Sequence, residues 1–464
     1  MKRSTLSLLG VVFLSAALTA CGGGGSDSAT PTPEPAPTPA PEPTPTPAPE
    51  PEPSSPAVKV GDFELVAGTL DTAAPADAPR CQNGPALGVY LRDPPVYSDI
   101  AGTVFNAITV GSNGHIYGLR TDCDPLKPRI HLVEINPSTG QMRVQPIPSY
   151  LDGNSQDTPA LLSFPRAIAA ASDGSVLIAD PGVLDFASRF PGGIWRFKDG
   201  VLSKVAGFDH SVPLTEYQTT ATGCDWTWHC TTYVVTEYSY GFGQDGKGGE
   251  ATFSYDLPGF MCAGPNDTFY ILETAKDTPK SDVGGAYRRI SLDGTVKTIS
   301  RLDKISGNNN VDLVCAANKR VFTALGAAYG VATYSDLVSG ETFNSTSLHG
   351  GAVLYGFGDS LFIYRESILP PTTGGTSITD TFFFVDLKRG GIKSKPWIQV
   401  ECRAIAIGAS CSSPTAADFQ LNSMPYRMPR MLQNVVGIDS NNFAYIYAGN
   451  ALLRYKLPNS VQPN

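Results

Sequence analysis

Charge is scarce in this chain. Of its 464 residues 17% are charged, 34 Lys+Arg against 43 Asp+Glu, for a formal net charge of −9. So light and acidic a charge pattern excludes a coiled coil and argues against phosphate backbones as partners, so no nucleic acid is expected. Histidine is rare as well: the five (115, 131, 210, 229 and 349) are dispersed, with no HExxH. No two cysteines stand at CxxC spacing, which removes the usual ligand pattern of a thiolate metal site. GxSxG and GxxxxGK[ST] are absent, so serine-hydrolase and P-loop chemistry lose their signatures. Gly241-Phe-Gly-Gln-Asp-Gly246 matches GxGxxG, yet no βαβ unit surrounds it and Gly-rich loops meet that pattern by chance. No convincing amphipathic helix of about twelve residues is present either.

Proline and glycine are plentiful, 39 and 47 residues, and unevenly spread. From Pro31 to Pro56 proline alternates with Thr, Glu and Ala. Proline fixes φ and cannot donate to a ladder, so this segment is expected as polyproline II. Its 26 residues at about 3.1 Å each would make a semi-rigid spacer of roughly 80 Å. Residues 57–464 then have an ordinary globular composition, enough for one large domain or two medium ones.

Met1-Lys2-Arg3 is a short basic start, and Leu6 to Leu18 an apolar run too short to span a bilayer, which takes about 20 residues. The run ends in Leu18-Thr19-Ala20-Cys21, which resembles the lipobox of bacterial lipoproteins; the bland alternative is an ordinary secretory signal with a chance cysteine. The resemblance implies that residues 1–20 are a signal peptide and that Cys21 is acylated, with residues 21–56 a Gly-rich and Pro-rich disordered stalk. Acyl chains at about 0.8 kcal/mol per buried methylene make a stable membrane anchor. Gly22, rather than Asp, resembles the enterobacterial sorting rule for the outer membrane; the expectation is a lipid-anchored protein facing the periplasm or the cell surface.

With Cys21 set aside, eight cysteines remain: Cys81, Cys123, Cys224, Cys230, Cys262, Cys315, Cys402 and Cys411. An even number in an exported chain suggests disulfides. Proximity in the chain favours Cys224–Cys230 and Cys402–Cys411, with Cys262–Cys315 and Cys81–Cys123 as the longer pairs.

Strand-like runs separated by Gly, Asp, Asn and Pro give an all-β reading, and self-comparison finds a repeating unit. One copy is Pro165-Arg-Ala-Ile-Ala-Ala, Ser172-Asp-Gly, Ser175-Val-Leu-Ile-Ala-Asp180, then Gly193-Ile-Trp-Arg-Phe197. Another is Pro258-Gly-Phe-Met-Cys-Ala, Thr268-Phe-Tyr-Ile-Leu-Glu273, then Tyr287-Arg-Arg-Ile-Ser291. Further copies begin near Asn106, Val311, Ala352 and Asn434. These copies resemble NHL repeats, strongly over 158–300, and Gly243-Gln-Asp-Gly-Lys-Gly-Gly-Glu-Ala-Thr252 resembles the Gly-rich loop of that family. The resemblance implies a β-propeller. The last copy lacks an outermost strand, and Phe63-Glu-Leu-Val-Ala-Gly68 reads as a spare one. Six blades closed by the N-terminal strand pairing into the last blade accommodate both, which removes open edges. Seven blades, one of them degenerate within an insertion (208–244 or 390–431), is the alternative.

Propellers place ligands at the mouth of the channel, where second strands end in Arg120, Asp122, Asp180, Glu273 and Arg365. Related propellers of the gluconolactonase and paraoxonase type hold Ca²⁺ there. Asp122, Asp180 and Glu273 would suit that hard cation, whereas the bland reading has such carboxylates bonding to backbone; the two Arg spoil a purely acidic ring. The stretch Cys224-Asp-Trp-Thr-Trp-His-Cys230, with Tyr233 nearby, would be a clamped loop whose Trp226 and Trp228 stack on a glycan or grip an envelope protein, unless the rings pack on a blade. The leading expectation is therefore a monomeric, lipid-anchored binding propeller without cofactor, with Arg120, Trp226, Trp228 and Tyr233 as binding residues. A Ca²⁺-assisted hydrolase or lyase is the alternative.

Overall fold

The computed structural model describes residues 63–69, 81–89, 91, 107–120, 123, 130–148, 162, 165–184, 189–207, 214–224, 230–254, 261–277, 282–305, 309–327, 332–345, 351–357, 361–368, 377–389, 392–393, 398–403, 435–448 and 451–457. All belong to the unit 57–464, one of two into which the chain divides. Residues 1–56, Asp122, Trp226, Trp228, Cys411 and most of the 390–431 insertion lie outside the described residues. Among the described residues no helix is long and apolar enough to cross a membrane.

The architecture is all-β. A lone strand, β1 (Phe63–Gly68), comes first. The next sheet consists of β2 (Gly84–Pro85), β3 (Ala107–Val110), β4 (Ile116–Arg120), β5 (Ile130–Asn136) and β6 (Gln141–Ile147). It is followed by a sheet of β7 (Ala167–Ala170), β8 (Val176–Leu184), β9 (Arg189–Lys198) and β10 (Val201–Gly207). The third contains β11 (Leu214–Cys224), β12 (Cys230–Tyr240), β13 (Gly246–Lys247), β14 (Met261–Ala263), β15 (Thr268–Asp277), β16 (Asp282–Ser291) and β17 (Thr295–Ile305). The fourth has β18 (Asn309–Cys315), β19 (Val321–Ala327), β20 (Ala332–Asp336) and β21 (Thr342–Ser345). The fifth has β22 (Gly351–Phe357), β23 (Leu361–Ile368), β24 (Ser377–Asp386), β25 (Ile392–Lys393) and β26 (Ile398–Arg403). The last runs through β27 (Val435–Ile438), β28 (Phe443–Ala448) and β29 (Ala451–Lys456), with β1 antiparallel to β29 on its outer side.

The sheets form a β-propeller arrangement in which five blades are distinct. One strand of each sheet lies against its counterparts: β3 meets β7, β7 meets β14, β14 meets β18, β18 meets β22, β22 meets β27, and β27 meets β3. Such convergence demands small side chains, and β7 reads Ala-Ile-Ala-Ala. At two crossings a Cβ would collide: one on Gly356 would lie 2.5 Å from the Ala316 methyl, and one on Gly437 2.7 Å from Val110 Cγ2.

The core is divided into seams between sheets. Leu119, Ile168, Ile178, Trp195 and Phe197 fill the seam between the β3–β6 and β7–β10 sheets. Leu177, Ile194, Phe253, Phe269 and Ile290 fill the next. Val66 of β1 is buried with Leu91, Ile116, Val133, Tyr445 and Leu452, where the last sheet meets the first. Two disulfides reinforce this packing, and they are the longer pairs favoured from the sequence: Cys81–Cys123, and Cys262–Cys315 between β14 and β18.

One turn recurs. After the first strand of a blade, a backbone N–H donates to the carbonyl four residues on: Gly111 to His115, Ala171 to Ser175, Gly264 to Thr268, Ala316 to Arg320, and Asp439 to Phe443. The residue before each acceptor has positive φ: Gly114, Gly174, Asp267, Lys319 and Asn442. Asn or Asp side chains complete several of these turns, as where His115 N donates to Asn113 Oδ1 and Ser175 N to Asp173 Oδ1. The Ser-Asn-Gly and Ser-Asp-Gly repeats of the sequence encode this geometry, because Gly, Asn and Asp tolerate the left-handed conformation.

Candidate functional site

Arg120, Asp180 and Glu273 occupy the same position, five residues past the recurring turn, and all three are buried. Their surroundings are built from protein groups. Glu273 Oε1 accepts from Gly243 N (2.8 Å) and Ser254 N, and Oε2 accepts from Arg288 Nη1. Both Glu273 and Arg288 are fully buried. Arg288 Nη2 donates to Gln244 O (2.9 Å), lies 3.3 Å from Asp245 Oδ1, and its guanidinium packs over the Phe253 ring. Asp245 accepts in turn from the backbone N and hydroxyl of Thr298, while Gln244 N donates to Thr252 Oγ1.

This network explains the Gly-rich loop. Residues 243–254 carry little regular structure, so their amides need partners elsewhere. Glu273 supplies two acceptors and Arg288 neutralises its charge, which a buried carboxylate requires. A Cβ on Gly243 would overlap the Thr252 carbonyl. Glu273, expected as a ligand for a hard cation, thus holds the loop through Oε1 and Arg288 through Oε2. Asp180 is buried in the middle of β8, which runs on past it, opposite Gly193, and Arg120 is buried at the end of β4, opposite His131. Among the described residues no group of three His, Cys, Asp or Glu is arranged to hold a metal ion. Arg288 was absent from the sequence candidates; a basic residue across from Ile271, two positions from Glu273's own row and so on the same face of the sheet, is the signal that could have marked it.

Two smaller polar clusters sit at the turns. His115 Nδ1 lies 2.7 Å from Glu134 Oε1, which also accepts from the Tyr117 hydroxyl (3.3 Å), and Asn113 Nδ2 donates to that hydroxyl (2.8 Å). Burial, set against the Asn113 hydrogen bond and joined by the Glu134 charge, pushes the Tyr117 phenol upward. At Asp173, burial opposes ionisation, but hydrogen bonds from Ser175 and Lys198 and the Arg196 charge outweigh it and hold the carboxyl well below the usual range. Asp267 reaches across to the neighbouring sheet, accepting from Ser172 N and Oγ. These clusters order turns and join blades.

In the aromatic insertion two strands lead to the segment read from the sequence as a clamped loop, whose residues 225–229 lie outside the described residues. Leu214–Cys224 and Cys230–Tyr240 form an antiparallel ribbon, β11 with β12, paired without register shift from Leu214↔Tyr240 to Cys224↔Cys230. Among the described residues it meets the remainder of its sheet in the ladder only at Tyr240↔Lys276. Consecutive residues Thr215 and Glu216 are both exposed, as are Gln218, Thr220, Thr232 and Val234, so neither face is fully covered. Cys230 is exposed and disulfide-bonded, and Cys224 stands opposite it. Tyr233 lies on β12 opposite Ala221; Trp226 and Trp228 fall in the connection between the strands, outside the described residues.

No family model and no curated protein matches the chain. Solved structures give distant likenesses only. A lignostilbene dioxygenase of Pseudomonas brassicacearum is similar at 8% identity and TM-score 0.29, over 64% of this chain and 62% of that one. The SapL1 lectin, solved with alpha methyl fucoside, is similar at 11% identity and TM-score 0.25, over 60% of this chain and 94% of that one. A GH74 enzyme of Niastella koreensis is similar at 10% identity and TM-score 0.24, over 76% and 70%.

Proposed function

We propose that this chain is an envelope binding module: a six-bladed, NHL-like propeller, closed by β1 and carried on a Cys21 lipid anchor and Pro-rich stalk. It offers the β11–β12 ribbon, with Trp226 and Trp228 at its tip, to a protein or glycan. The observation that carries the reading is the ribbon itself, two eleven-residue strands standing off a blade with cysteines opposed at the end. A two-stranded ribbon is marginal alone in water, and a bridge across Cys224 and Cys230 would pre-organise its tip, lowering the entropic cost of association. Six blades and closure are supported by the succession of inner-strand contacts that returns from β27 to β3 and by the pairing of β1 with β29. A Ca²⁺-assisted hydrolase has no comparable support, since Glu273 is committed to Arg288 and two backbone amides.

The test is the double substitution Trp226→Ala with Trp228→Ala in the full-length protein, scored on a glycan array and by thermal melting. Lost glycan binding at an unchanged melting temperature is expected for a glycan-reading tip. A large drop in melting temperature with binding retained would make the rings core and overturn the reading. Cys21→Ser should release the protein from the membrane fraction; normal retention would remove the anchor from the proposal.

A further inference from the structure

The ribbon has a second feature besides its tip. β11 is the edge strand of its sheet, with β12 as its one strand partner among the described residues. An edge strand presents a row of unpaired backbone N–H and C=O groups, and proteins ordinarily blunt such edges with Lys, Pro, bulges or short length. Other outer strands here carry those devices. β2, outermost in its sheet, is two residues long and ends in Pro85. β10 contains Lys204 and a register shift. β1 has a register shift, and β21 is four residues long. β11 has none of them: eleven residues, Leu-Thr-Glu-Tyr-Gln-Thr-Thr-Ala-Thr-Gly-Cys, with no Lys, Arg or Pro and an unshifted ladder. Its four threonines and one tyrosine favour strand pairing.

We infer that the open edge of β11 pairs antiparallel with β11 of a second copy of this chain, across a two-fold axis at Thr219. The sequence is suited to itself in that register. All eleven residues overlap, Leu214 opposite Cys224 at either end. Glu216, the strand's single charge, falls opposite Thr222, so no like charges meet, and Gln218 falls opposite Thr220. Both Gln218 and Thr220 are exposed, and polar or Thr-containing cross-strand pairs stabilise a sheet. The two β11 strands would become the inner pair of a four-stranded sheet flanked by the two β12 strands, past the size at which sheets stand alone. The outer side of β12 is less suited, because β15 already occupies it at Tyr240. A basic extended peptide from another protein would gain from the acidic ribbon, whose charges are Glu216, Asp225 and Glu237 with no Lys or Arg. The full self-overlap without opposed charges favours the second copy.

The experiment is sedimentation velocity on the full-length protein in detergent, with charge-swapped partners. Gln218→Lys with Thr220→Lys places like charges opposite one another twice across the axis, and should weaken self-association by about tenfold. Gln218→Glu with Thr220→Glu should do the same, while an equal mixture of the two variants should form mixed dimers at least as well as the parent chain. Both positions are exposed, so the fold is retained, which melting temperature verifies. The inference is overturned if the parent chain is monomeric at every concentration, which would leave the edge to a segment of another protein. It is equally overturned if the Lys variant associates as the parent does, if the mixture fails to pair, or if assemblies grow beyond two copies.

Discussion

Closure of the ring by β1 can be tested through two of its residues that differ in burial. Val66 is 5% exposed and packs with Leu91, Ile116, Tyr445 and Leu452. Val66→Ala removes two methyl-sized groups at about 0.8 kcal/mol each and leaves part of a cavity, for a cost of roughly 2 kcal/mol. Glu64 stands directly opposite Arg454 and accepts both of its forked donors at 2.8 Å, but its side chain is 39% exposed. Exposed pairs are worth about 0–1 kcal/mol, so Glu64→Ala should cost well under the Val66 change. Deleting residues 57–68 removes both, together with the β1–β29 ladder, and should cost more than their sum. The assay is guanidinium unfolding of the full-length protein followed by fluorescence. Val66→Ala should lower the midpoint at unchanged slope, because the exposed area is nearly the same. A deletion variant that unfolds at the parent's midpoint would refute the argument: β1 would then be an ornament on β29 and the ring would hold without it.

Glu273→Ala removes the buried counter-charge of Arg288, leaving it Asp245 at 3.3 Å, and frees two amides, for a loss of about 3 kcal/mol by denaturant titration; a near-neutral result would mean the loop 243–254 is held otherwise. Lys319 holds a positive φ of 59° where Gly114 and Gly174 stand in equivalent turns, so Lys319→Gly should stabilise by about 0.5–1 kcal/mol in thermal melts. The carboxyl of Asp173 is held below its ordinary value, so its contribution to stability is present above about pH 4 and is lost as pH falls further. The melting-temperature gap between the parent and Asp173→Asn should therefore narrow on acidification below pH 4; a gap that is constant with pH would show that Asp173 gains nothing from Lys198 and Arg196.

The hairpin turns were legible because their chemistry is local: Asn113, Asp173 and Asp293 each accept from the amide two residues on. The blade cores were legible through short apolar runs such as Val176–Ala179, all buried. The ribbon was not. Period-2 alternation arises only when one face is buried, and 214–240 is exposed on adjacent positions, so its Thr, Val and Tyr read as an irregular insertion. Nor was the pairing of Glu273 with Arg288, because the two strands' inward positions coincide only after β15 and β16 are in register. The residue types at the second-strand ends were visible; what they face depends on loops that arrive from elsewhere in the chain.

The β1–β29 pairing joins residues about 390 positions apart, Glu64 to Arg454. At equilibrium that distance matters little, since each doubling of a loop costs only about 0.6 kcal/mol. In time it matters more. β1 is among the first strands to be synthesised and its partner is the last, so every other sheet can assemble while Val66 and its neighbours still lack a surface to cover. Long-range pairings of this kind are slow and leave edges open in the interim. The last sheet therefore cannot be completed before β29 has been made, and a product cut short before residue 451 would carry an orphaned first strand, a ready substrate for quality-control proteases.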